Sequence, residues 1–257
     1  RAWLKEAGHM DEFNAKRRVH ERGRKRAARL DKPFVGCDGE GWGVDELGRQ
    51  HFQLLRIGDM ELYTGKPLTT AECLQMICDA PANAILVGFS FGYDTTMMLR
   101  DLSEERRARL LEPKEMAGGK SRYTFWRDFG IEYLQRNYLR VCKIKDGKAV
   151  KGSVRTVYEV FGFFQCSFVK ALAQFSIGTV EEREFLIAQK ESRADFSQMS
   201  PQMSEYNGLE CRLLAELMEK LRENCYKADI HPKTWNGAGK LAKALHEREG
   251  TPDRKTI

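Results

Sequence analysis

The stretch PFVGCDGEGW, Pro33 to Trp42, constrains the chain more than any other. Phe34-Val35-Gly36-Cys37 reads as a strand, and it delivers Asp38 and Glu40 with one glycine between them. Residues i and i+2 of a strand point to the same face. Two carboxylates on one face repel unless a cation lies between them or one holds a proton. Glycines at 36, 39, 41 and 43 let a second backbone or a ligand come close. Ligands that are all oxygen suit a hard divalent ion such as Mg²⁺. Surface turns also carry such acid pairs, so a metal site needs further ligands from elsewhere.

Two later segments offer them. AILVGFSFGYD ends a buried, strand-like run in Asp94 at the start of a helix, a position that also suits a helix cap. In YNGLECRLLAELMEKL (206–221), Leu209, Leu213, Leu214, Leu217 and Leu221 recur at helical spacing and predict a buried stripe. Tyr206 and Glu210 stand at i and i+4, stacked on one face of that helix. A phenol one turn before a carboxylate can hold a water between them.

The remaining chain reads as alternating elements. Strands are expected at 34–39 and 51–58 around a glycine-rich turn, and 83–94 reads as a buried strand running into a loop. Two more are expected in 123–144, and one at 153–164 after the Asp-Gly turn signal in KDGK. Helices are expected at 69–80, with a Thr69/Glu72 capping box, at 95–102, and after Ser103. Further helices are expected at 167–175, about 203–225, and 236–248. This order predicts an α/β sheet with helices packed on it.

Composition narrows the class. No apolar run approaches the roughly 18–20 residues of a membrane helix, and the first 33 residues are basic rather than signal-like. Seven scattered cysteines without a C-x-x-C pair read as reduced core thiols of a cytosolic protein. Residues 1–33 hold eleven Lys/Arg against five Asp/Glu, and the rest holds 32 of each sign. The whole excess of +6 therefore sits in an N-terminal arm, which suggests a polyanion partner such as nucleic acid. Within the arm, AGHMDEF (7–13) reads like a cloning remnant.

Taken in order, CDGE, SFGYD and YNGLE resemble the three motifs of the 3′–5′ exonuclease domain of B-family DNA polymerases, of the DEDDy, RNase H-like type. The resemblance covers roughly 33–225 and points to the viral, plasmid and organellar branch. FGFFQCSFVKAL (161–172) and WNGAGKLAKALHE (235–247) are similar to segments between and after the family's motifs. Two positions depart from the pattern: Ser90 stands for the usual Asn, and Glu210 for the usual Asp.

The resemblance implies an RNase H-like mixed sheet flanked by helices, with a β-hairpin insertion and a basic N-terminal helical arm. It implies three regions: the arm at 1–33, the exonuclease domain at 34–228, and a linker and helix at 229–257. Neither an Asp-Thr-Asp nor a Ser-Leu-Tyr-Pro-like motif is present. A polymerase domain is therefore expected beyond Ile257 in the same full-length chain.

The implied reaction is hydrolysis of DNA 3′ ends with two Mg²⁺ or Mn²⁺ ions, about 3.5–4 Å apart. Asp38 would bridge both ions, Glu40 and Glu210 would complete the nucleophile-side ion, Asp94 would support the other, and Tyr206 would orient water. Ser90, Tyr93 and Trp42 are the expected contacts to the single-stranded end, with Trp126 as a further aromatic, while Phe91 reads as ordinary core. Arg17 and Arg18 would grip phosphates. The expected setting is the cytoplasm in a bacterial, phage or plasmid context. Alternatives are a stand-alone nuclease, a weak or inactive nucleic-acid-binding module of the same fold, and an unrelated α/β protein with coincidental acids.

Overall fold

The computed structural model describes residues 31–46, 48–112, 123–192 and 198–249. Those from Pro33 onward belong to one compact unit. Arg17 and Arg18, and the helix expected around them, lie outside the described residues.

Among the described residues the protein is a mixed α/β structure with nine strands and eight helices. The strands are β1 (Phe34–Val44), β2 (Gln50–Ile57), β3 (Met60–Leu62), β4 (Ile85–Gly88), β5 (Thr124–Trp126), β6 (Phe129–Leu134), β7 (Tyr138–Lys145), β8 (Lys148–Ala149) and β9 (Arg155–Glu159). The helices are α1 (Thr70–Asp79), α2 (Gly92–Met98), α3 (Glu104–Leu111), α4 (Phe161–Phe164), α5 (Phe168–Gln174), α6 (Val180–Glu191), α7 (Pro201–Lys227) and α8 (Gly239–Arg248). None of them is long and apolar enough to cross a membrane.

The sheet runs β3-β2-β1-β4-β9-β7-β6-β5, with β8 paired to β7. β3, β2 and β1 pair antiparallel, whereas β1, β4 and β9 pair parallel. β4, the run Ile85-Leu86-Val87-Gly88, is buried throughout, as a central parallel strand covered on both faces must be. β9 then turns antiparallel to β7, so the β5–β8 insertion extends the same sheet.

Several expected boundaries move. β1 continues past Glu40 to Val44, because β2 pairs with it through two register shifts at Glu40/Gly41 and Gly41/Val44. Such bulges let a glycine-rich segment stay in the ladder while it bends. The strand expected to run into a loop within 83–94 ends at Gly88, and Asp94 lies in the first turn of α2, where Phe91 rather than Asp94 holds the cap position. The expected strand at 153–164 splits: Arg155–Glu159 is β9, and Phe161–Phe164 is one helical turn.

Capping chemistry holds where the sequence places it. Thr69 and Glu72 form the capping box of α1, and the Ser103 hydroxyl accepts from the Arg106 N–H at the start of α3. α6 has no counterpart in the sequence reading, although Thr179 and Glu182 form its capping box in the same way.

α7 anchors the fold. Ser200 caps it and Pro201 occupies its first turn. Its 27 residues extend about 40 Å at 1.5 Å per residue. Leu213, Leu214, Leu217 and Leu221 are buried as expected, each contributing on the order of 1.5–3 kcal/mol. Leu209 is only partly buried, and the buried stripe in the N-terminal half is instead Met203, Tyr206, Asn207, Glu210 and Cys211. Helix and strand periods match here: four helical residues rise about 6 Å and two strand residues about 6.6 Å. Cys211 accordingly lies over Gly36, and Asn207 over Asp38. In the segment expected to be a linker, Trp235 is 1% exposed and packs edge-on against Phe34.

Candidate active site

Asp38, Glu40 and Glu210 come together. Each offers a carboxylate oxygen, and these atoms lie within 4.8 Å of one another. Asp38 and Glu40 share the β1 face on which α7 packs, and the helix turn at 207–210 brings the third acid down onto it. Glu40 and Glu210 are buried, while Asp38 is half-buried. Three carboxylates so close and largely buried repel one another unless a cation or a proton lies between them. Burial pushes the Cys37 thiol far up, and the charges of Asp94 and Asp38 push it further. Burial, then Asp38, does the same to Cys211.

Asp94 lines the same cleft from another element, outside the group of three. It is 4% exposed, and its Oδ1 lies 3.0 Å from where a Gly39 Cβ would stand. Asp38, Asp94 and Glu210 all line one cleft of about 530 Å³, together with Gly39, Ser90 and Tyr93. A larger groove of about 1180 Å³ lies elsewhere along α7 and contains none of the four acids. Size therefore does not locate this chemistry.

The loop that presents Asp94 is pinned by Glu159, at the end of β9. Its Oε1 accepts from the Ser90 N–H at 3.0 Å and from the Phe161 N–H at 2.9 Å. Burial raises the Glu159 carboxyl above its ordinary range, and backbone donors from Phe161, Ser90, Phe91 and Gly92 partly offset this. Ser90 itself is exposed and sits at φ 57°, in the left-handed region. Serine is strained there, whereas Asn tolerates it. Ser90→Asn should therefore gain about 0.5 kcal/mol, or roughly 1–2 °C in a domain of this size. Thermal unfolding of the two chains checks this, and an unchanged or lower Tm would mean that the turn is not strained.

The aromatic candidates separate. Tyr93 is 47% exposed on the cleft wall, and its hydroxyl donates to Gln50 Oε1 at 2.6 Å. Trp42, Phe91 and Trp126 are buried. Trp42 packs with Leu54 and Met203, because the lengthened β1 carries it under α7 instead of leaving it in an open turn. Its ring face is closed to a base. Tyr206 is also fully buried, one turn from Glu210, and is absent from the cleft lining.

Four contributors escape the sequence reading. Lys190, on α6, places Nζ 3.4 Å from Glu210 Oε1 and over the Phe168 ring. Phe161 is 40% exposed and lines the cleft as a second aromatic wall. Glu159 and Asn207 hold acids or their loops. The Thr179-x-x-Glu182 signal is sufficient to find α6, but no local pattern ties Lys190 or Asn207 to distant acids.

The donor set fits a hard divalent cation. It consists of converging carboxylate oxygens, and Asn207, whose Nδ2 donates to Asp38, adds a buried Oδ1 without a hydrogen-bond partner among the described residues. Comparison of the chain with protein-family models, with curated proteins and with solved structures finds no match.

Proposed function

We propose that this chain is a 3′–5′ exonuclease of proofreading type, the nuclease portion of a B-family DNA polymerase with an RNase H-like sheet. One observation carries the reading. Acids far apart in the sequence converge in a cleft that also holds the second-motif residues Ser90, Tyr93 and Asp94. The antiparallel β3-β2-β1 half, continuing into a parallel β1-β4-β9 half, supports the RNase H-like assignment.

Asp38, Glu40 and Glu210 would hold a divalent ion, with Asp94 supporting a second. Such ions supply a hydroxide-like nucleophile and charge stabilisation at the phosphorus. The chain's own residues do the rest. Tyr93 and Phe161 offer ring faces on which terminal bases stack, a contact indifferent to sequence. Lys190 gives the cleft an ammonium that can meet phosphate oxygens, and it partly neutralises Glu210 before substrate arrives. Glu159 fixes the turn carrying Ser90 and, through it, the register of Asp94. Tyr206 supports the α7 turn below Glu210 from the interior.

The buried Tyr206 also favours a second reading, in which the module binds nucleic acid but hydrolyses it weakly. A 5′-labelled single-stranded oligonucleotide separates the two. A ladder shortened from the 3′ end in Mg²⁺ or Mn²⁺, and abolished by EDTA, is the expected result. Glu210→Asp should increase the rate if the longer side chain holds the ion off its best position. Intact substrate in both metals, with binding still measurable, would favour the binding module.

A further inference from the structure

Asn207 is fully buried on α7, three residues before Glu210. Its Nδ2 donates to Asp38 Oδ2 at 2.7 Å. The opposite orientation would set a carbonyl oxygen against a carboxylate, so chemistry fixes the amide this way round. Its Oδ1 is then turned from that oxygen and is buried without a hydrogen-bond partner among the described residues. Buried amide oxygens are normally paired, and leaving one bare is costly. The same helix places leucines at its buried positions 213, 214 and 217. An amide kept at 207 therefore needs a partner from outside the described residues. Its surroundings are rich in carboxylates, since Asp38, Glu40 and Glu210 converge beside it, with Lys190 paired to Glu210. A neutral carbonyl oxygen among carboxylates is a donor set for a hard divalent cation.

We infer that Asn207 is a positioning residue of the cation centre: Nδ2 holds the Asp38 carboxylate, and Oδ1 faces the cation or a water it carries. This rests on the reading of the acidic cluster as a cation site. The amide also ties α7 to β1 at the point where the ligands meet, so cation binding and the seating of α7 strengthen one another.

The test uses the full chain, with Mn²⁺ and Mg²⁺ titrated by calorimetry and thermal unfolding followed with and without each ion. Asn207→Ala should lower cation affinity about 10–100-fold, the range for residues that orient metal ligands. Asn207→Asp keeps the size of the side chain and places a second carboxylate against Asp38. It should have a lower Tm than the parent without cation, and a larger rise when cation is added. An amide with a merely structural role would lower the Tm of the variants and leave both affinity and the cation-induced rise at parental values. That result overturns the inference while the cation centre stands. A parent chain that binds neither ion overturns the cation centre itself, and the inference with it.

Discussion

Gly36→Ala is expected to cost about 3 kcal/mol or more, at the upper end of overpacking penalties, and to scatter the acidic centre. A Cβ at 36 would stand 2.7 Å from the Cys211 Cα and closer still to its carbonyl oxygen. Both obstacles are backbone, so no rotamer change relieves them. α7 would have to lift from β1 at the point that sets Asn207 and Glu210 over Asp38. Gly92→Ala is the control, because nothing lies within 4 Å of the place its methyl group would occupy. Urea unfolding measures both. A Gly36→Ala chain within about 1 kcal/mol of the parent would show that the helix is not held at this distance, since ordinary surface changes fall within about half that.

Asp38→Ala should reduce cation-dependent hydrolysis by on the order of 10³-fold. Lewis-acid stabilisation by a bound ion supplies several kcal/mol, and each 1.36 kcal/mol is a factor of ten. Folding should change far less. Removing one of three crowded carboxylates relieves repulsion, while the Asn207 amide loses its acceptor at about 1–3 kcal/mol. The two effects oppose, so the variant should stay folded and inactive. Circular dichroism beside the oligonucleotide assay tests the pair of outcomes. A folded variant retaining more than a tenth of parental activity would place the reacting centre elsewhere.

These expectations differ in how visible their causes are in the sequence. Local patterns carry far. The apolar run before Asp38, the Thr69/Glu72 box and Leu213, Leu214, Leu217 and Leu221 of α7 each sit where their periodicity or capping chemistry puts them. The acids to inspect are also legible, because carboxylates at the ends of apolar runs are conspicuous. Patterns fail where a distant partner decides the matter. Trp42 looks open beside its glycines, but pairing with β2 draws it into the strand and under Met203. Leu209 fits the helical spacing, yet the helix face that reaches β1 there is the one bearing Asn207 and Glu210.

The sequence by itself determined an α/β chain with two acids on one strand face, one at the start of a short helix and one on a long helix. Short-range backbone preferences and side-chain periodicity suffice for that. Only the tertiary structure decided that three of those acids share a space within 4.8 Å, that Tyr93 rather than Trp42 faces the cleft, and that Lys190 and Asn207 attend the centre. The reason is physical: such groupings depend on how closely one backbone can approach another. Here that distance is set by the missing side chain of Gly36 beneath α7.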